Sequence, residues 1–295
     1  MSEGHYARLI KLVDSLVSKS CSEETLAQEL QTLQGLSYKS MQSAASTTIW
    51  VWRILYADSC ILASIILSKA PAHISISRLD QAIIIAGGGD EGRLSLILSL
   101  INKISRYLPP PTYRRKLLYN GDRLLLRPLQ SACNQVPCMN TIPSFLSFQN
   151  VHSNSPFVLR GYAHDWPALN HNSWNSIDYL LSVSGSSRLV PVEVGHDYRD
   201  EHWNQVLMNW ERFLYALDDT TGISKASEEG LYLAQHNLFR QFPLLRDDIA
   251  VPDYVYCSLA PESFASYKAP EDAGGAILNV WLGPKGATSP AHFVS

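Results

Sequence analysis

Apolar residues recur every three or four positions through the first third of the chain. Leu9, Ile10, Val13, Leu16 and Val17 form one helical stripe. Leu26, Leu30 and Leu33 form a second, with Ser20 and Glu23 as a capping box before it and Gly35 expected to end it. From about residue 47 to 69 the chain is apolar almost throughout, with Arg53 and Asp58 as the interior charges. That pattern predicts a helix buried on most sides, its aromatics Trp50 and Trp52 in the core. Residues 79–86 and 94–108 predict a helical pair joined by Gly87-Gly88-Gly89-Asp90-Glu91-Gly92.

Beyond the prolines at 109–111 and Pro143 the texture shifts to strands and turns. A short strand is expected at 156–161, a helix at 174–181 and a strand at 188–195, whose alternation sets Glu193 on the face opposite Val192 and Val194. A helix at 208–217, a strand at 232–236 and an acidic loop at 243–253 follow. The strand at 277–282, with Trp281 between Val280 and Leu282, leads into a turn at Gly283-Pro284-Lys285-Gly286. A second short strand is expected to carry Thr288 and Ser289 toward His292. The fold class is α+β: an N-terminal helical domain, residues 1–135, followed by a strand-bearing domain, residues 136–295, with the boundary within 130–144.

Composition narrows the possibilities. With 295 residues, 46% hydrophobic and 17% charged, the chain has material for a sizeable core. The polar start Met-Ser-Glu-Gly-His carries no secretory signature, and the longest apolar run, 60–67, is short for a bilayer. The expected setting is intracellular, nuclear or cytoplasmic, with no membrane partner. Five cysteines without repeated close spacing suggest free thiols in a reducing compartment. The glycine run lacks both the Lys-Ser/Thr and the preceding strand of a phosphate cradle. The basic stretch 114–127 lacks aromatic interleaving, so a nucleic-acid partner is not expected. Net charge is −3, but unevenly spread. Residues 1–130 hold 15 Lys and Arg against 10 Asp and Glu, and residues 131–295 hold 9 against 17. An acidic second half suits a basic ligand.

The words PFVLRGYAHDWPAL (156–169), VPVEVG (190–195), YLAQHNLF (232–239), VPDY (251–254) and ILNVWLGPKGATSPAH (277–292) follow the order found in the jumonji-C (cupin-like) oxygenases. From about Pro143 to His292 the chain resembles that family, and its helices resemble the family's helical extension more loosely. The resemblance implies a jelly roll, or double-stranded β-helix. It also implies an enzyme that uses Fe(II) and 2-oxoglutarate to hydroxylate or demethylate a protein side chain. By the same resemblance His292 is the first iron ligand. Tyr232, Gln235 and Ser289, with Thr288 beside it, contact 2-oxoglutarate. Glu193 and Trp281 receive the basic side chain of an Arg- or Lys-containing protein or peptide, the acid by a two-pronged hydrogen bond and the indole by cation–π attraction.

One departure qualifies this picture. The family's His-x-Asp pair reads His292-Phe293-Val294 here, and a valine has no lone pair for iron, whose facial triad takes two histidines and a carboxylate. The jelly roll is therefore expected to be incomplete, with no complete catalytic set and neither Fe(II) nor 2-oxoglutarate held by the chain as it stands. Two explanations follow. Val-Ser can be encoded by GTAAGT, which resembles an intron donor, so that the reading frame of an oxygenase continues elsewhere. Alternatively, the chain is a non-catalytic protein that binds partners through its helices.

Overall fold

The computed structural model describes residues 2–66, 70–109, 136–153, 155–197, 199, 201–218, 224–256 and 276–289. Five helices come first: α1 (Ser2–Val17), α2 (Glu23–Ser43), α3 (Ile49–Ile66), α4 (Ala72–Ala86) and α5 (Glu91–Ser105). Leu9 of α1 and Leu26, Leu30 and Leu33 of α2 meet Leu55, Ala63 and Ile66 of α3 in one apolar cluster. Other residues of α3, Tyr56, Cys60 and Ile61, meet Leu79 and Ile83 of α4 and Ile97 and Ile101 of α5 in a second. Serving two cores makes α3 apolar on nearly every side. By length and composition it is also long and apolar enough to cross a membrane, a property that the 60–67 run alone understates. Its acid Asp58 is answered by Arg93, Nε to Oδ1 at 2.6 Å, and by the Tyr6 hydroxyl at 3.0 Å.

Three local expectations give way here. Gly35 does not end α2, which continues to Ser43. Ser37, two residues on, is fully buried with its hydroxyl on the Leu33 carbonyl, so packing against α3 overrides the glycine's weak preference for a stop. The N-cap of α2 is Ser22, which accepts from the Thr25 amide, and not Ser20. Trp50 is 58% exposed at the start of α3, whereas Trp52 packs against the first cluster. The glycine run is a helix–helix turn: Gly87, Gly88 and Gly89 all have positive φ, a conformation other residues resist.

The second half is a sheet backed by short helices. A two-residue parallel ladder joins β1 (Cys138–Met139) to β2 (Val158–Leu159), all that forms of the strand expected at 156–161. Between them α6 (Phe145–Ser147) runs into a π-helical turn, Phe148–His152. Then come α7 (Ile177–Ser184), β3 (Leu189–Val194), β4 (Asn204–Asn209), α8 (Trp210–Leu217), α9 (Lys225–Glu229), β5 (Leu231–His236), α10 (Leu238–Gln241) and β6 (Val280–Leu282). The strands pair antiparallel in the order β4-β3-β5-β6. Val190, Val192, Met208, Leu231 and Leu233 point from one face into a core with Leu181, Trp210, Phe213 and Phe242.

The helix expected at 208–217 starts only at Trp210. Asn209 caps it by accepting from the Arg212 amide, and 204–209 is a strand whose Met208 reaches the core. Ser176 likewise moves the helix expected at 174–181 to Ile177–Ser184. In place of the acidic loop, Pro243–Asp248 is a 3-10 helix. Its end is fixed because buried Asp248 accepts from Asn172 (2.8 Å), from the Trp174 indole (2.8 Å) and from the Tyr179 hydroxyl (2.5 Å). The expected strand through Thr288 and Ser289 does not form as far as Ser289, and His292 lies outside the described residues. The boundary expected within 130–144 falls partly outside them too.

A buried ion pair joins helices to sheet. Asp80 of α4 is fully buried and Arg188, just before β3, is 4% exposed. The guanidinium reaches the carboxylate through Nη2 at 2.7 Å and Nε at 3.0 Å, and lies 4.6 Å from the Phe242 ring centre. Replacing Asp80 by Ala strands a buried cation, so urea unfolding should show a loss of about 3–5 kcal/mol. Replacing both partners by apolar residues, Asp80→Leu with Arg188→Met, should recover only part of that loss, because the Leu189 amide and Gln241 lose their shared acceptor. An Asp80→Ala protein as stable as the parent would contradict this account of the joint.

Candidate functional site

The sheet face turned away from the core carries the candidate chemistry. Strand alternation that buries Val190 and Val192 puts Leu189, Pro191 and Glu193 on the other side, where Glu193 stands opposite Gln205 of β4 and Tyr232 of β5. Beyond β5 the neighbour of Tyr232 is Gly283, just after β6. A Cβ there would sit 2.5 Å from the Tyr232 ring, so only a glycine lets the ring lie across this strand end. The chain then turns at Pro284, whose carbonyl accepts from the Ala287 amide at 3.1 Å. The turn brings Ser289 back over Tyr232, with the two hydroxyl oxygens 2.8 Å apart.

Of the residues singled out from the sequence, Tyr232 and Ser289 are thus brought into contact. Thr288 is exposed and its hydroxyl makes a long 3.5 Å approach to the Gly286 carbonyl. Gln235 is exposed at a break in the β5–β6 ladder, between Leu233 and His236, with φ of +49°. Trp281 is 39% exposed on β6. It shares a face with Glu193, but β5 runs between them, so two strand spacings, about 10 Å, separate their strands. Trp203 was not anticipated. Its indole hydrogen-bonds Glu193, and its backbone closes on Gly195 so tightly that a Cβ there would lie 3.2 Å away. Lying in the irregular link just before β4, it left no periodic signal in the sequence.

Burial raises the Glu193 carboxyl above its usual range, and the Trp203 hydrogen bond opposes this in part. A half-buried acid that makes no ion pair among the described residues is suited to receive a cation from outside the sheet. Two hydroxyls in contact, as in Tyr232 and Ser289, can offer a donor to an incoming carboxylate. Iron is another matter. Among the described residues no group of three His, Cys, Asp or Glu converges, so these residues do not furnish an iron site. The aromatic cleft of about 620 Å3 lined by Phe148, Phe157, Tyr162, Trp166 and Tyr254 includes none of the residues above.

A family model described as a cupin-like domain matches residues 144–293. Lysine-specific demethylase 8 of Danio rerio is 30% identical over 253 residues, covering 82% of this chain and 58% of that protein. Jumonji C domain-containing protein 5 of Drosophila melanogaster is 38% identical over 154 residues, covering 51% and 35%. Lysine-specific demethylase 8 of Xenopus tropicalis is 38% identical over 172 residues, covering 57% and 34%. The chain spans between about a third and somewhat over half the length of these relatives. The zebrafish match is too long to be confined to the sheet region, so it takes in part of the helices as well.

Two outcomes test the geometry. Gly283→Ala forces the Tyr232 ring aside, and unfolding measurements should show a loss of about 1–3 kcal/mol from overpacking. Glu193 has a raised folded pKa. Its contribution to stability is therefore present below the unfolded value, about pH 4, and is lost as pH rises through the folded value. Glu193→Gln should thus raise the melting temperature slightly at neutral pH and leave it unchanged well below pH ~4. A neutral-pH loss would contradict the desolvation assignment.

Proposed function

Because the chain belongs to the jumonji-C branch of the cupin-like family, we propose that its protein is a 2-oxoglutarate-dependent oxygenase acting on a basic side chain of a protein substrate. Members of this family are generally Fe(II)- and 2-oxoglutarate-dependent, and the iron when bound supplies the oxygen activation. The observation that carries the reading is the Tyr232–Ser289 hydroxyl contact, set beside Glu193 on one sheet face. The hydroxyl pair receives the co-substrate carboxylate. Thr288 borders the same end of the sheet, and Gln235, projected from the bulge in β5, lies three residues further along that strand. Glu193, kept in place by Trp203, takes the guanidinium or ammonium of the substrate, with Trp281 offering an aromatic surface further along the face.

Residues 1–295 by themselves hold iron weakly in this reading and do not turn over. His292 is the single family ligand present, and Val294 cannot replace a carboxylate. A non-catalytic role through the helices is the second reading. It draws on apolar side chains exposed in this half, Trp50 on α3 and Tyr107 in the turn after α5 among them.

The test compares residues 1–295 with the protein translated from the complete transcript. With Fe(II), 2-oxoglutarate and an Arg- or Lys-containing peptide, the complete protein should form succinate and residues 1–295 should not. Glu193→Ala in the complete protein should lower kcat/KM for the peptide by the equivalent of about 2–3 kcal/mol, with 2-oxoglutarate affinity nearly unchanged. Peptide turnover unaltered by that substitution would refute the assignment of Glu193. A complete protein inert toward 2-oxoglutarate would favour the non-catalytic reading.

A further inference from the structure

The hydrogen bonds around Gln241 continue past the ion pair into the strand that carries Tyr232. Gln241 ends α10 and is fully buried. Its Nε2 donates to Asp80 Oδ1 at 2.8 Å and to the Leu189 carbonyl at 2.5 Å. Both neighbours are acceptors, so the amide cannot be turned the other way without setting oxygen against oxygen. Oε1 must then accept, and the His236 Nε2, 2.9 Å away, must donate. The tautomer of His236 is therefore set from α4, two residues removed along the hydrogen-bond chain. Burial also pushes the His236 imidazole down, the Gln241 bond opposing, which suits a neutral ring with one defined N–H.

His236 is the last residue of β5. Regular alternation would leave its side chain on the face of Tyr232 and Ala234. The register shift between Leu233 and His236, with Gln235 at φ +49°, inserts one step and turns His236 toward Gln241. A non-glycine residue in that conformation persists where its surroundings hold it. The bond to Gln241 is on one side of it and the Val280 ladder partner on the other. Arg240, next to Gln241, ties α10 to the glycine turn as well, reaching the Gly87 carbonyl at 3.3 Å and Glu91 at 3.0 Å.

We propose that Asp80, Gln241 and His236 are positioning residues through which the N-terminal helices hold the β5 bulge, and with it the placement of Gln235 and the course of β5 toward Tyr232 at the co-substrate end of the sheet. The proposal rests on the functional reading above only in naming that end; the mechanical link stands on the hydrogen bonds.

The experiment is amide hydrogen exchange on residues 1–295 and on the complete protein, each with Gln241→Leu, His236→Leu, His236→Gln and Asp58→Asn. Gln241→Leu and His236→Leu break the link while sparing the Asp80–Arg188 pair. They should speed exchange of the Leu231–His236 and Val280–Leu282 amides by about tenfold, the scale of one lost buried hydrogen bond, with α1 to α3 unchanged. His236→Gln retains a donor and should restore most of the protection. Asp58→Asn loosens the helices elsewhere and should leave β5 and β6 as they are. Uniform acceleration across the chain in the link variants, or equal acceleration of β5 by Asp58→Asn, would overturn the proposal. So would failure of His236→Gln to restore what His236→Leu loses. Calorimetric 2-oxoglutarate binding to the complete protein forms a separate arm. Affinity lowered by Gln241→Leu supports both readings. Local release of β5 in a protein that never binds 2-oxoglutarate upholds the link and overturns the oxygenase reading.

Discussion

A carboxylate shut away from water must be satisfied by donors from the protein, and Asp80 recruits them from far along the chain. Arg188, the Leu189 amide and Gln241 all bond to it. Its four contacts come close to what two carboxylate oxygens can accept. The order of the sheet region follows from this constraint. Arg188 fixes where β3 begins, Gln241 fixes where α10 ends, and the guanidinium also braces the Ser184 carbonyl at the end of α7. An apolar pair of the same volume has less desolvation cost, but it would not fix three chain segments in register.

What the sequence revealed about the helices was their apolar periodicity. Leu26, Leu30 and Leu33 are buried where the spacing places them, because a helical stripe has few other ways to leave water. Gly35 and Trp50 misled because each residue's own preference is worth less than the packing around it. Strand β4 was hidden by continuity: Gln205 to Met208 run into a helical pattern, and only the Asn209 cap divides strand from helix. Pro243–Asp248 looked like a loop because it is acidic and flanked by prolines. Its order comes from Asn172, Trp174 and Tyr179, about seventy residues earlier, and no local window contains them.

The candidate site divides the same way. Family words led to Tyr232, Ser289, Glu193 and Trp281, and the alternation of β3 set Glu193 off the core face. The words could not say that Tyr232 and Ser289 meet, since their contact depends on the missing Cβ of Gly283 and on the turn at Pro284. Nor could they reveal Trp203, whose position is set by the close approach of its backbone to Gly195. The candidate site's vocabulary is written in side chains, whereas the geometry that gives it meaning is written in glycines, turns and the long-range bonds of Asp80.

The separation of 108 positions between Asp80 and Arg188 also sets an order in time. A ribosome finishes α4 well before it reaches β3, at a pace of about 5–20 residues per second. For several seconds the nascent helices hold an acid whose partners have not yet been made. Water solvates that acid meanwhile, so the α4 surface stays wet and open until the sheet arrives. Dehydration of Asp80 is thus the step that converts two successively made halves into one molecule.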